Sequence, residues 1–246
     1  MAREARQANR VLMCAQHQRF RPESAVAKKL VESGSLGRIY WAKAQLLSRR
    51  GVPNQRINTF TDRAMAGGGP LFDQGSHVID LAWWLMGRPP AQRAWGATFR
   101  HLAPQAGSLQ GGASWSRFDV EELALGQITF ANGAVLTVET SYFLNATEDL
   151  YRVELFGTEA GLRWPELIVA RGQSQSVDVS AVDVDRRALA SVAELRHFVE
   201  LVGRKAEPLV PVEDSIAVVS MIECCYKSAE RGSELSLVTS ASDIAG

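Results

Sequence analysis

The sequence predicts an α+β fold: an open, mostly antiparallel sheet with its helices gathered on one face. Two observations carry this reading. Apolar runs of strand length follow one another between residues 94 and 184 with short turns between them, and strands joined by short turns pair antiparallel or in a mixed sheet. Two of these runs, Leu123 to Phe130 and Ala134 to Phe143, are joined through Asn132-Gly133, the strongest short-range hairpin signal.

In chain order, residues 2–9 have the character of the end of a polar helix, and Val11 to Ala15 that of a buried strand. A domain rarely begins inside an uncapped helix, so this beginning is expected to be the remainder of something larger. Pro22 stands at a good first helical position, with a helical pattern from Ser24 to Ser33 that Gly34 ends. Arg38 to Leu47 is the next strand. Residues 48–66 are polar and irregular, a long loop of the kind that often covers a site. A helix from Leu71 to Met86 follows three glycines and Pro70 and closes at Gly87. It is apolar almost all round, which predicts a buried helix rather than a surface one.

Ala94 to Phe99 is a strand, and residues 101–114, rich in Gly and Ser, a mobile loop. After the hairpin come Tyr151 to Phe156, ended by Gly157-Thr158-Glu159-Ala160-Gly161, then Leu167 to Ala170 and Val177 to Val184. Two amphipathic helices follow. Residues 187–202 carry Leu189, Val192, Leu195, Val199 and Val202, and residues 213–231 carry Ile216, Val219, Ile222 and Tyr226, with Gly203 and Gly232 as stops. Leu235 to Val238 completes the sheet as an edge strand. Apolar residues on both alternations, such as Leu136 and Val138 against Val135, predict that the uncovered sheet face is buried between copies in a homodimer or homotetramer.

Composition narrows the function classes. Lys+Arg and Asp+Glu both number 27 in 246 residues, so no global field favours nucleic acid or an anionic membrane. Short basic pairs such as Arg49–Arg50 and Arg186–Arg187 are read as solvated surface. No apolar run is long enough to span a bilayer, and the polar beginning has no signal-peptide core. Cys14, Cys224 and Cys225 have neither disulfide-framework nor metal-ligand spacing, which suits buried thiols in a cytoplasmic protein.

The candidate chemistry lies on the buried helix. Asp73 and His77 are spaced i, i+4, so both side chains project from one face, one turn apart, and Asp80 continues that face. A carboxylate so placed can orient the imidazole and favour its protonated form, and the histidine can then exchange a proton with an alcohol or carbonyl oxygen near neutral pH. The same spacing also fits a hydrogen-bonded pair that merely holds the helix. A metal pair is disfavoured because no third ligand has suitable spacing. Gly67 to Gly69 and Gly75 remove side chains near the helix start, where a ligand or cofactor ring could approach the backbone. In Gln16-His17-Gln18-Arg19-Phe20-Arg21-Pro22, Arg19 is suited either to a substrate hydroxyl or carboxylate or to bridging two elements. Trp41, Tyr142 and Asn145 suit a sugar pocket, or, for the aromatics, the core.

These residues carry a family resemblance. The stretch Gly67-Gly-Gly-Pro-Leu-Phe-Asp73-Gln-Gly-Ser-His77-Val-Ile-Asp80-Leu resembles the catalytic-helix motif of the Gfo/Idh/MocA oxidoreductases, which include glucose–fructose oxidoreductase and inositol dehydrogenase. Gln18-Arg19-Phe20-Arg21-Pro22, the hairpin region from Val120 to Val135 and Phe156-Gly-Thr-Glu-Ala-Gly agree with it in order. The resemblance implies a Rossmann domain binding NAD or NADP followed by an α+β domain whose sheet pairs in oligomers. Residues 1–20 would then be a remnant of the dinucleotide-binding domain and 21–246 the substrate-binding and oligomerisation domain. His77 matches the proton-transferring histidine and Asp73 the carboxylate before it. His17, Arg19 and Tyr142 become candidate substrate contacts, and Gly69 and Arg19 candidate cofactor contacts. The family's Gly-rich phosphate loop and Glu-Lys-Pro motif have no counterpart in the sequence, and position 17 is His where many relatives have Asn or Tyr. The expectation is an NAD(P)-dependent sugar or polyol oxidoreductase, truncated and inactive on its own. The alternative is a non-catalytic sugar-binding or oligomerisation module derived from one.

Overall fold

The computed structural model describes residues 1–53, 58–103 and 118–237. A short helix α1 (Ala2–Gln7) and a 3-10 turn (His17–Phe20) lead into α2 (Pro22–Glu32) and β1 (Ile39–Leu47). Next come α3 (Arg63–Ala66), α4 (Pro70–Leu85) and β2 (Ala91–Phe99), then β3 (Leu123–Phe130), β4 (Val135–Ser141), β5 (Leu150–Gly157), β6 (Ala160–Trp164), β7 (Ile168–Gln173) and β8 (Ser176–Ala181). The chain continues through α5 (Ala190–Val202), α6 (Val212–Arg231) and β9 (Leu235–Ser236).

The strands form a sheet in the order β8-β7-β6-β5-β1-β4-β3-β2-β9. β1 runs parallel to β4 and every other pairing is antiparallel. The predicted α+β class with an open, mostly antiparallel sheet is therefore what the chain adopts. The hairpin closes as expected: Gly133 takes φ +80 and the Asn132 side chain accepts from the Ala134 N–H.

The core lies between one sheet face and the helices. Ala42 and Ala44 on β1, Ala124 and Ile128 on β3, Leu136 and Val138 on β4 and Val153 and Leu155 on β5 alternate into it. Against them α4 buries Leu71, Val78, Ile79, Leu81, Ala82, Trp83, Trp84 and Leu85. Each large side chain removed from water contributes roughly 1.5–3 kcal/mol, so α4 is fixed on β1 and β4 by its own apolar circumference. α6 lies on β2 so closely that a Cβ on Gly96 would stand 2.3 Å from the Cys225 carbonyl oxygen. Cys225 is fully buried, and desolvation pushes its thiol pKa up to about 12. Burial of Cys224 and Cys225 agrees with the reading of them as inert core thiols; Cys14 is only half-buried.

Four expectations are corrected or limited. Val11 to Ala15 forms no strand, and Val11 is 43% exposed, because no strand among the described residues lies beside it. β6 was not predicted: Gly161 and Arg163 dilute an alternation whose inward members, Ala160, Leu162 and Trp164, are all buried. On α5 the apolar residues Leu189, Val192, Leu195, Val199 and Val202 are 49–69% exposed, and the helix docks instead through Leu201 and Glu194, two turns apart on another side. Finally, the loop predicted at 101–114 lies largely outside the described residues, as do 54–57 of the long polar loop; its remainder includes α3.

The uncovered face of the sheet is mixed rather than apolar. Trp41 stacks on Phe156 with centroids 4.4 Å apart, but beside them Lys43 faces Glu139 at 3.7 Å and Arg163 pairs with Glu154 at 3.2 Å. Trp41 is thus an aromatic of this face, its indole N–H reaching the Thr137 hydroxyl.

Candidate active site

The candidate site is built where the first turns of α4 pass the end of β4. Buried glycine and apolar contacts hold the helix there, and Asp73 and His77 stand half-buried on it, one turn apart. Tyr142, the residue after β4, is fully buried and donates its phenol hydrogen to Asp73 Oδ2 at 2.9 Å. The helix and the strand end are thereby tied at the carboxylate. Tyr142 belongs to a small apolar cluster with Val52 and Phe143, so packing fixes its aim.

No hydrogen bond joins Asp73 to His77: the carboxylate is oriented by Tyr142, and His77 Nδ1 is buried without a partner. Asp73 favours the imidazolium electrostatically, as expected, but burial outweighs it and lowers the His77 pKa. Burial raises the Asp73 pKa, opposed by the Tyr142 hydrogen bond and by His77. Burial first, then Asp73, raises that of Tyr142, which remains a phenol. The arrangement holds the imidazole toward its neutral form and leaves its buried Nδ1 without a partner. His17 reaches the same place from the 3-10 turn, its ring edge to face with His77 at a centroid distance of 5.3 Å.

Arg19 does not join them. Its side chain has no exposed surface: Nε and Nη2 donate to Asp80 at 2.9 and 2.6 Å, and Nη1 donates to Asp214 at 2.6 Å and to the Leu209 carbonyl at 2.9 Å. Of the two readings of Arg19 the structure fits the bridge, which locks α4 to α6 from below, and its donors have no exposed surface in this arrangement. The expectation for Gly69 meets the same fate. A Cβ there would stand 2.3 Å from the Glu121 carbonyl oxygen, so the close approach it permits is to Glu121. Asn145 accepts from Arg50 at the surface.

Glu121 is a residue that sequence reasoning missed. Its carboxylate accepts from the N–H groups of Gly69, at 3.1 and 3.0 Å, and Leu71, at 3.3 Å, capping the N-terminus of α4 where a negative charge is favoured. Tyr226 donates to the same carboxylate at 2.6 Å. The signal lay in an acidic pair, Glu121-Glu122, opening a strand, but its partner is 52 residues away and no local spacing reveals it.

Among the described residues no cluster of His, Cys, Asp or Glu has the arrangement of a metal site. A family model described as the GFO/IDH/MocA C-terminal domain matches residues 25–163. This chain belongs to the GFO/IDH/MocA family. Within it, D-glucoside 3-dehydrogenase of Escherichia coli (strain K12) is 30% identical over 243 residues, covering 96% of this chain and 68% of that protein. Levoglucosan dehydrogenase of Pseudarthrobacter phenanthrenivorans (strain DSM 18606 / JCM 16027 / LMG 23796 / Sphe3) is 32% identical over 198 residues, covering 75% of this chain and 49% of that protein. Among solved structures, levoglucosan dehydrogenase in complex with NADH and L-sorbose shares the fold with a TM-score of 0.75 at 22% identity, covering 93% of this chain and 66% of that one. The chain thus spans between half and about two thirds of the length of these GFO/IDH/MocA relatives. No helix among its described residues is long and apolar enough to cross a membrane.

Proposed function

We propose that this chain is the substrate-side part of an NAD- or NADP-dependent oxidoreductase acting on a hydroxyl-bearing carbon of a sugar or polyol. The observation that carries it is the half-buried His77, with an unpartnered ring nitrogen, one turn after an Asp73 held by Tyr142. Two relatives named as glucoside and levoglucosan dehydrogenases support the sugar class, and a structural relative solved with NADH supports the cofactor.

In this reading a bound nicotinamide supplies the hydride acceptor. His77 takes the proton of the substrate hydroxyl as its carbon is oxidised, and returns it in the reverse direction. Asp73 offsets the positive charge that develops on the ring, and Tyr142 keeps that carboxylate in place and favours its ionised form. Tyr142 acts through Asp73 rather than by touching substrate; His17 is the further candidate contact. Arg19 is taken up by Asp80 and Asp214 and Gly69 lies against Glu121, so neither is given a cofactor contact in this proposal. In this proposal residues 21–246 are the substrate domain. The uncovered sheet face pairs copies into a homodimer or homotetramer, through Trp41 and Phe156 flanked by charge pairs. A cytoplasmic location fits the buried free thiols.

The test joins this chain to a dinucleotide-binding domain and follows nicotinamide reduction. Reduction of NAD or NADP with glycosides, and none with simple secondary alcohols, is the expected result. A folded fusion that binds the cofactor yet oxidises no sugar or polyol would leave the binding-module reading in its place.

A further inference from the structure

His17 and His77 arrive from different elements, the 3-10 turn and α4, yet their rings meet edge to face 5.3 Å apart. Both are half-buried. Two imidazolium charges at this separation repel far more strongly here than they would in bulk water. Few charged groups act on the pair. Asp73, bonded to the Tyr142 phenol, favours a charge on His77, whereas Arg21 disfavours one on His17. Burial opposes charge on both rings. His77 therefore has a supporter that His17 lacks, and His17 has an opponent in a charged His77.

We propose that His17 and His77 form one acid–base unit that takes up no more than one proton at a time near neutral pH, the proton going to His77 while His17 stays neutral beside it. This rests on the reading of His77 as the proton-transferring group and gives His17 a tuning role beyond substrate contact. When the proton of a substrate hydroxyl moves to His77, its O–H bond breaks and an N–H bond forms on the ring, and a neutral His17 presents no charge that resists the transfer. Only at lower pH does His17 take a second proton, and the double charge then makes His77 the stronger acid.

Gln18 fits this role. Its side-chain amide lies 2.6 Å from His17 Nε2, and its Oε1 is buried without a partner. With the amide N–H facing the ring it donates to neutral His17. A half-turn of the amide lets Oε1 accept from the Nε2–H of a protonated ring, and no other hydrogen bond is broken.

The test is a ring proton–carbon NMR titration of the full chain, which has only four histidines. As pH falls, the His77 signal should move first, with a second, smaller inflection at the midpoint of His17, because coupled groups titrate in steps that belong to the pair. In His77→Gln the His17 midpoint should move up; in His17→Gln the His77 curve should collapse to one step. His77→Asn serves if Gln loosens α4, with the His101 and His197 signals reporting the native fold. The wild-type curve reads the coupling without any substitution. A single-step His77 curve together with a His17 midpoint unmoved by loss of His77 overturns the proposal. Neither cofactor nor substrate is present, so that outcome leaves the proposed function standing, and a failed turnover assay leaves the coupling standing.

Discussion

Helices α4 and α5 both announce themselves in the sequence by their apolar residues, and they end in opposite situations. α4 is apolar nearly all round and buries twelve residues, Asp80 among them. α5 has a stripe at helical spacing, Val192, Leu195, Val199 and Val202, that points to solvent while Glu194 and Leu201 face the protein. Periodicity says that a helix has an apolar face; it does not say that the same chain supplies the cover. An apolar circumference is a stronger statement, because no orientation on the surface can satisfy it.

The largest expected effect lies under α4. Asp80→Ala leaves the Arg19 guanidinium buried with half its partners, and breaking such a pair typically costs about 3–5 kcal/mol, read by urea denaturation. A cost near zero would mean that the lock between α4 and α6 is not what fixes the helix. Leu81→Ala, fully buried on α4, should cost about 2–5 kcal/mol. If both variants unfold near the wild-type midpoint, the contrast between the helices fails.

A smaller effect tests the electrostatics of the same helix. Burial holds the His77 pKa below its ordinary 6.5, so the folded state binds fewer protons there than the unfolded one. That contribution is fully present above the unfolded value and is lost as pH falls below it. Asp73, with a raised pKa, works in the other direction: its contribution is present below the unfolded carboxylate value and lost as pH rises through the folded one. His77→Gln should therefore shrink the loss of stability on going from about pH 7.5 to about pH 5, in the histidine window. An unchanged loss would show that His77 is not desolvated. The smallest effect belongs to α5, where Leu195→Ser and Val199→Ser should each move the stability of this chain by no more than about 0.5 kcal/mol. A cost like that of Leu81→Ala would mean that the stripe is covered after all.

What the sequence made legible follows the same division. The strands from β3 to β5, the hairpin turn and both ends of α4 rest on local signals, alternation and Gly, Asn and Pro chemistry, and the structure has them within a few residues of their expected bounds. The placement of β1 between β5 and β4, parallel to β4, has no local signature, because it depends on which distant strand offers a partner. In the site, the spacing of Asp73 and His77 marked one helix face, and that much is geometric. The Tyr142 bond that takes up Asp73 spans 69 residues, and the Arg19 bonds span 61 and 195. An arginine made for a substrate carboxylate and one made for two buried aspartates look alike in a sequence. Only the fold decides, and here it gives Arg19 to the scaffold.

The proposed function places the proton-transferring group of a sugar oxidoreductase on α4. Its most direct test is the steady-state turnover of His77→Ala, measured beside thermal unfolding and cofactor affinity in the fusion with a dinucleotide-binding domain. Cofactor affinity should stay near that of the unsubstituted fusion while turnover falls by about 10²–10⁴-fold, the usual contribution of general acid–base catalysis. A folded His77→Ala fusion that turns over at the unsubstituted rate, with only its melting temperature changed, would contradict it.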